Sequence, residues 1–297
     1  MERERLTIRY WTFANIDLDC KQLEKRTGMH TSNYLYHHGE QELHGFLAYD
    51  DENDQPRPAV LVAHDWSGRN EFACEKAQMI AEMGYLGFAL DMYGHGRIGA
   101  STHEKMGLMQ PLANDRRLLR ERIRAAYDAL IAMPEVDINR IAIIGFVSWT
   151  LCALDLARSG AELKGVVSFH GLLNKPEEKL ASHPIHAKIL VLHGYDDPMV
   201  RPEQVNEFCQ EMTEAKVDWQ VHMYGHTQHA FANPHAHDTQ LGTIYNAKAE
   251  RRALQAMVNF YRKSLFKILF VERLNGQFGL SMALLLFSKK SFDNSIA

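Results

Sequence analysis

Ile141-Ala142-Ile143-Ile144-Gly145-Phe146 passes directly into Val147-Ser148-Trp149-Thr150 and then into Leu151-Cys152-Ala153-Leu154-Asp155-Leu156-Ala157. The first run is apolar throughout, so it is expected to be a short strand covered on both faces, as in a parallel sheet. The last run is expected to be a helix. A strand that turns straight into a helix is half of a βαβ unit.

The same alternation extends in both directions. Residues 59–63, 86–90, 166–169 and 189–192 are short continuous apolar runs, 43–49 is half alternating, and 219–224 closes the series. Between them, 72–83, 114–133, 151–158, 202–215 and 247–261 read as helices. The second carries Leu119, Ile123, Ala126 and Leu130 as one apolar stripe and is expected to stop at Pro134. Strands alternating with helices imply a doubly wound, mostly parallel α/β sheet with helices on both faces. Ligands of such sheets bind outside the carboxyl ends of the strands, so function is expected on the loops that follow them.

Composition narrows the function classes. The 297 residues are 46% hydrophobic and 24% charged, as in an ordinary globular protein. The formal net charge is −4, so nucleic acid is not an expected partner. Four scattered cysteines (Cys20, Cys74, Cys152 and Cys209) form no CxxC pair, and no apolar stretch is long enough to span a bilayer. A cytoplasmic protein is expected, with residues 1–28 and 267–297 as extensions flanking a single domain at 29–266.

The loops after the strands carry chemistry. His64-Asp65-Trp66-Ser67-Gly68 follows 59–63, and Asp91-Met92-Tyr93-Gly94-His95-Gly96 follows 86–90. His193-Gly194-Tyr195-Asp196-Asp197-Pro198 follows 189–192, and Gly225-His226-Thr227-Gln228-His229-Ala230-Phe231 follows 219–224. A nucleophile position, then an acid, then a histidine is the order found in α/β-hydrolases. The chemistry requires the trio, because a hydroxyl or thiol attacks well only when a histidine takes its proton. A carboxylate must in turn hold that histidine in the right tautomer.

From about Met29 to Phe266 the chain resembles the dienelactone hydrolase family. The stretches already quoted carry the resemblance, together with Gly165-Val166-Val167-Ser168-Phe169-His170-Gly171, Ala232-Asn233-Pro234 after His229, and Tyr245-Asn246-Ala247 followed by Arg251-Arg252. It implies an α/β-hydrolase fold and hydrolysis of a small-molecule lactone or carboxylic ester without a metal or organic cofactor. It implies Asp197 as the acid, with Asp196 as rival, and His229 as the base, with His226 as rival. Asp65 falls where the family usually has a glutamate that contacts the resting thiol. The backbone N–H groups of Trp66 and Ser148 are the implied oxyanion donors. Asp91, Tyr93 and Arg97 either line the site or shape their loop.

The nucleophile is missing. The family reads Gly-x-Cys-x-Gly-Gly here, and the slot of the cysteine is Val147, with Trp149 in place of a glycine. Trp149 is expected to crowd the turn, and a β-branched residue suits its unusual dihedrals poorly. Three readings stand side by side. The nucleophile has moved to Ser148; the chain is a non-catalytic relative that keeps the pocket; or a frame slip has turned Cys-Phe-Gly-Gly into Val-Ser-Trp-Thr, with foreign ends at 1–28 and 267–297. Cys152, inside the expected helix, reads as inert core. The histidines at 222, 226, 229, 235 and 237, with Asp238, match no metal-site spacing, so no metal is expected there.

Overall fold

The computed structural model describes residues 28–52, 54–176 and 183–265. The expectations for the extensions, apart from Gly28, lie outside the described residues. One sheet of eight strands organises the rest. These are β1 (Met29–His38), β2 (Gln41–Asp50), β3 (Arg57–Ala63), β4 (Leu86–Ala89), β5 (Val136–Phe146), β6 (Gly165–Phe169), β7 (Lys188–Gly194) and β8 (Trp219–Tyr224). Their order is β1-β2-β4-β3-β5-β6-β7-β8. β1 and β2 pair antiparallel, as do β2 and β4, and every other pairing is parallel.

Among the described residues six helices cover the sheet: α1 (Glu71–Glu82), α2 (Thr102–Asn114), α3 (Arg116–Ile131), α4 (Thr150–Arg158), α5 (Pro202–Glu214) and α6 (Ala247–Leu265). Every residue of β3 is buried. Ala59, Leu61 and Ala63 pack with residues of α3, α4 and α5, whereas Val60 and Val62 pack with residues of α1 and α6. The unbroken apolar strands therefore exist because each face of the sheet has its own helical layer.

Two elements escape the periodicity. β1 is an edge strand with Tyr36 as its one fully buried residue. α2 buries only Leu112, contains Pro111, and is held at its start by a capping box between Ser101 and Glu104. From its sequence Asn114 is expected to begin the following helix. In the structure Asn114 ends α2, and the Asp115 carboxylate caps α3 by accepting from the N–H groups of Arg117 and Leu118. The expected stripe of α3 (Leu119, Ile123, Ala126, Leu130) is completely buried.

α4 is fastened by charge. Asp155 is fully buried and accepts from Arg116 at 2.7 and 2.9 Å and from Arg158 at 3.1 Å. Arg158 makes a bidentate pair with Glu211 on α5, at 2.7 and 2.8 Å. Buried charges persist only when paired in this way. Because α4 begins at the strand-to-helix turn, the network also holds that turn in place. Among the described residues no helix is long and apolar enough to cross a membrane.

Candidate active site

β5 ends at Phe146, and a single 3-10 turn, Val147–Trp149, leads into α4. Val147 has φ +53°. L-residues avoid this left-handed region because Cβ crowds the carbonyl oxygen, and β-branched residues avoid it most. The strained strand-to-helix turn therefore centres on Val147. Ser148 lies one residue beyond it, in the helical turn. Gly145 is required, since a Cβ there would stand 2.7 Å from Thr150 Cα. Trp149 does not crowd the turn as expected. Its indole leaves the turn and is buried in the core, 6.1 Å from the His64 ring and 5.7 Å from the Tyr93 ring, edge-on to both.

The expected acid, Asp197, and the expected base, His229, lie beyond the ends of β7 and β8. His229 Nδ1 is 2.7 Å from Asp197 Oδ2, and both side chains are buried. The second carboxylate oxygen accepts from Met199 N–H at 2.8 Å and Val200 N–H at 3.2 Å. The carboxylate is thus fixed by backbone donors on one side and directs a proton onto Nδ1 on the other. That arrangement leaves Nε2 as the basic nitrogen, buried and without a hydrogen-bond partner. The rivals are elsewhere: Asp196 and His226 are exposed.

A buried aromatic cluster connects this pair to the turn. His170, just after β6, lies 5.7 Å from the His229 ring and 6.1 Å from the Phe146 ring, and Phe231 lies 5.0 Å from it. Neither His170 nitrogen has a partner, and its φ is +38°. Burial, assisted by the neighbouring His229, holds its pKa well below the usual range and keeps the imidazole neutral. Its position in the sequence pattern carried no sign of this placement.

The two implied oxyanion donors differ in support. Ser148 N–H lies in a first helical turn, where amide hydrogens have no acceptor within the helix. Trp66 N–H belongs to the peptide whose carbonyl is that of Asp65. That carbonyl accepts from His64 Nδ1 at 2.5 Å and from Gly68 N–H at 3.3 Å. His64 Nε2 accepts from Met92 N–H at 3.2 Å, so both ring nitrogens are committed in the neutral state. Burial likewise lowers the pKa of His64. The next carbonyl, that of Trp66, accepts the Tyr93 hydroxyl at 2.7 Å. The turn after β3 is therefore locked on both sides of Trp66.

Asp65 uses its carboxylate on Ser67 N–H at 2.8 Å and on Asn233 Nδ2 at 3.4 Å. It ties its loop to the loop beyond His229. Asp91 is fully buried and accepts from four backbone N–H groups, those of His44, Tyr93, Gly94 and Gly96. Arg97 bonds back to the carbonyls of Tyr93 and Gly94. Asp91 and Arg97 thus shape the loop. Cys152 is buried against the Trp149 carbonyl, and burial pushes its thiol far above the usual pKa. Of the histidines read for a metal, His226, His235 and His237 are exposed, and His222 is half-buried on β8.

The sequence profile of the dienelactone hydrolase family matches residues 43–265. The chain belongs to that family. Its fold is accordingly the α/β-hydrolase fold, and its family is one of hydrolases. A solved dienelactone-hydrolase-like promiscuous phosphotriesterase from metagenomic libraries is 35% identical, with a TM-score of 0.77 over 81% of this chain and 100% of its own. A carboxymethylenebutenolidase-type protein of Yersinia pestis is 24% identical over 230 residues, 74% of this chain and 83% of its own. A dienelactone hydrolase of Klebsiella pneumoniae, 18% identical over 80% of this chain and 100% of its own, has a TM-score of 0.66 and speaks to the fold alone.

Proposed function

We propose that this protein is a dienelactone-hydrolase-type hydrolase of a small-molecule lactone or carboxylic ester, impaired because Val147 stands where the nucleophile belongs. The observation that carries the proposal is the left-handed backbone of Val147 at the start of α4. It is combined with a buried, directed base in His229. With a thiol at this position, His229 would support the thiolate, which attacks the carbonyl. The N–H groups of Trp66 and Ser148 would hold the oxyanion, the ring or ester oxygen would leave, and water would release the acyl group. An isopropyl side chain has no lone pair, so no acyl-enzyme forms. His229 Nε2 is left to deprotonate water directly. In proteases stripped of a triad member, binding and the oxyanion hole still supply roughly 10³-fold over water.

The net charge of −4 and the unpaired Cys74, Cys152 and Cys209 support a cytoplasmic protein acting on small molecules rather than nucleic acid. The route described uses no cofactor.

Hydrolysis of p-nitrophenyl esters and of an unsaturated lactone tests the proposal in the native protein and in the combined V147C/S148F/W149G/T150G variant. The native protein is expected to turn over slowly and form no adduct with serine- or thiol-directed probes. The variant is expected to gain at least a hundredfold and to label at position 147. Rapid native turnover with an adduct at Ser148 would defeat the proposal. Lactone binding with no turnover in either protein would identify a ligand-binding relative instead.

A further inference from the structure

Glu42, His44 and His95 form a cluster that the hydrolase chemistry does not use. Glu42 and His44 are two residues apart on β2, so their side chains project from the same face. His95 comes from the loop after β4. One ligand atom from each (a Glu42 oxygen and a ring nitrogen of each histidine) lies within 4.8 Å of the other two. Glu42 Oε1 is 2.5 Å from His44 Nε2 and 3.6 Å from His95 Nδ1. The two imidazoles meet edge to face, with centroids 5.9 Å apart.

We propose that these three side chains bind a zinc-class divalent cation. Two imidazoles and one carboxylate suit zinc and its borderline neighbours, whereas calcium and magnesium require oxygen ligands. Ligands about 2.0–2.1 Å from a tetrahedral zinc stand about 3.3 Å apart. The observed 2.5 and 3.6 Å separations bracket that spacing, and small side-chain rotations reach it. Without metal, Glu42 Oε1 and His44 Nε2 are in hydrogen-bond contact. On binding, the cation takes the Nε2 lone pair of His44, and the ring carries its proton on Nδ1.

The backbone beneath the ligands is already fixed. The buried Asp91 carboxylate accepts from His44 N–H at 3.0 Å and Gly96 N–H at 2.8 Å, so one anion joins the strand to the loop. His95 N–H donates to the Glu42 carbonyl at 3.0 Å. His95 has φ +54°, a conformation that places its side chain beside β2. Preorganisation of this kind lowers the cost of gathering ligands. The side chains of Glu42, His44 and His95 are 38%, 37% and 59% exposed, so water completes the coordination. The same loop delivers the Tyr93 hydroxyl to the Trp66 carbonyl. A cation here would therefore stiffen one wall of the candidate active site.

The test uses tag-free full-length protein, stripped with chelator and titrated with zinc chloride by calorimetry. One saturable equivalent is expected. Glu42→Gln and His95→Asn are each expected to weaken it at least tenfold. Asparagine suits a positive φ, so the second variant preserves the loop. His235→Ala/His237→Ala is expected to bind as the native protein does. Absence of a stoichiometric equivalent would overturn the proposal. So would unchanged binding in Glu42→Gln and His95→Asn, or loss of binding in the His235→Ala/His237→Ala protein.

Discussion

His229 Nδ1 stands 2.7 Å from Asp197 Oδ2, although 32 residues separate them in the chain, and both are buried. On the proposed reading, the pair is the base and orienting acid of a hydrolase whose nucleophile slot holds Val147. Asp197 also serves as a structural acceptor, so its removal should be felt in stability as well as chemistry. Asp197→Ala leaves His229 Nδ1–H, Met199 N–H and Val200 N–H without their acceptor. The expected loss is about 3 kcal/mol, measured as a lower urea midpoint. Asp196→Ala, at an exposed position, is expected to stay within about 0.5 kcal/mol of the native protein. Equal losses in the two variants would reverse the assignment.

Val147 pays conformational strain at φ +53° with only a half-buried side chain in return. Val147→Gly removes a left-handed penalty of about 1–2 kcal/mol and forfeits part of it in chain entropy and lost contact. A net gain of about 1 kcal/mol corresponds to a melting temperature about 2–4 °C higher. A lower melting temperature would show that the turn is not strained.

Stability should fall on the acid side of neutrality. His64, His170 and His193 all have pKa values lowered, first of all by burial. The unfolded chain takes up protons near the usual histidine pKa of about 6.5, and the fold refuses them. The unfolded state then binds more protons, so stability is complete above about pH 7 and declines as the pH drops below 6.5. The limiting slope is about 1.4 kcal/mol per pH unit for each such histidine. His170→Leu, which sacrifices no hydrogen bond, is expected to flatten the decline. Unfolding free energies measured from pH 5 to 8 check this, and an unchanged slope in His170→Leu would contradict it.

Cys152 should be silent toward electrophiles. Its thiol is buried, donates to the Trp149 carbonyl at 2.9 Å, and is held protonated by desolvation. Iodoacetamide at neutral pH is expected to leave Cys152 unmodified in the folded protein and to modify it in urea, as read by peptide mass mapping. Labelling in the folded state would restore Cys152 as a candidate nucleophile.

The alternation of strands and helices was legible because it rests on local periodicity, and runs such as 59–63 have no other use for unbroken apolarity. β1 and α2 were not, since β1 buries only Tyr36 and α2 only Leu112. That a carboxylate follows β7 and a histidine follows β8 was legible from the strand-end loops. The path of Trp149 was not, because the space that receives its indole is formed by His64 and Tyr93 from two other loops. The role of Asp155 as the buried centre of a network was hidden in the same way, for its partner Arg116 lies on α3, and its other partner, Arg158, is itself held by Glu211 on α5.

By itself, the chain determined the α/β alternation, the family pattern, and the presence of valine where sulfur is expected, since each is a matter of residue type and order. Only the tertiary structure decided that the left-handed turn falls on Val147, that His229 faces Asp197 rather than Asp196, and that His170 is sealed between them and Phe146. The same holds for the meeting of Glu42, His44 and His95. The physical reason is that such contacts depend on which strands become neighbours and where each loop turns, and sheet order is settled by packing across the whole domain.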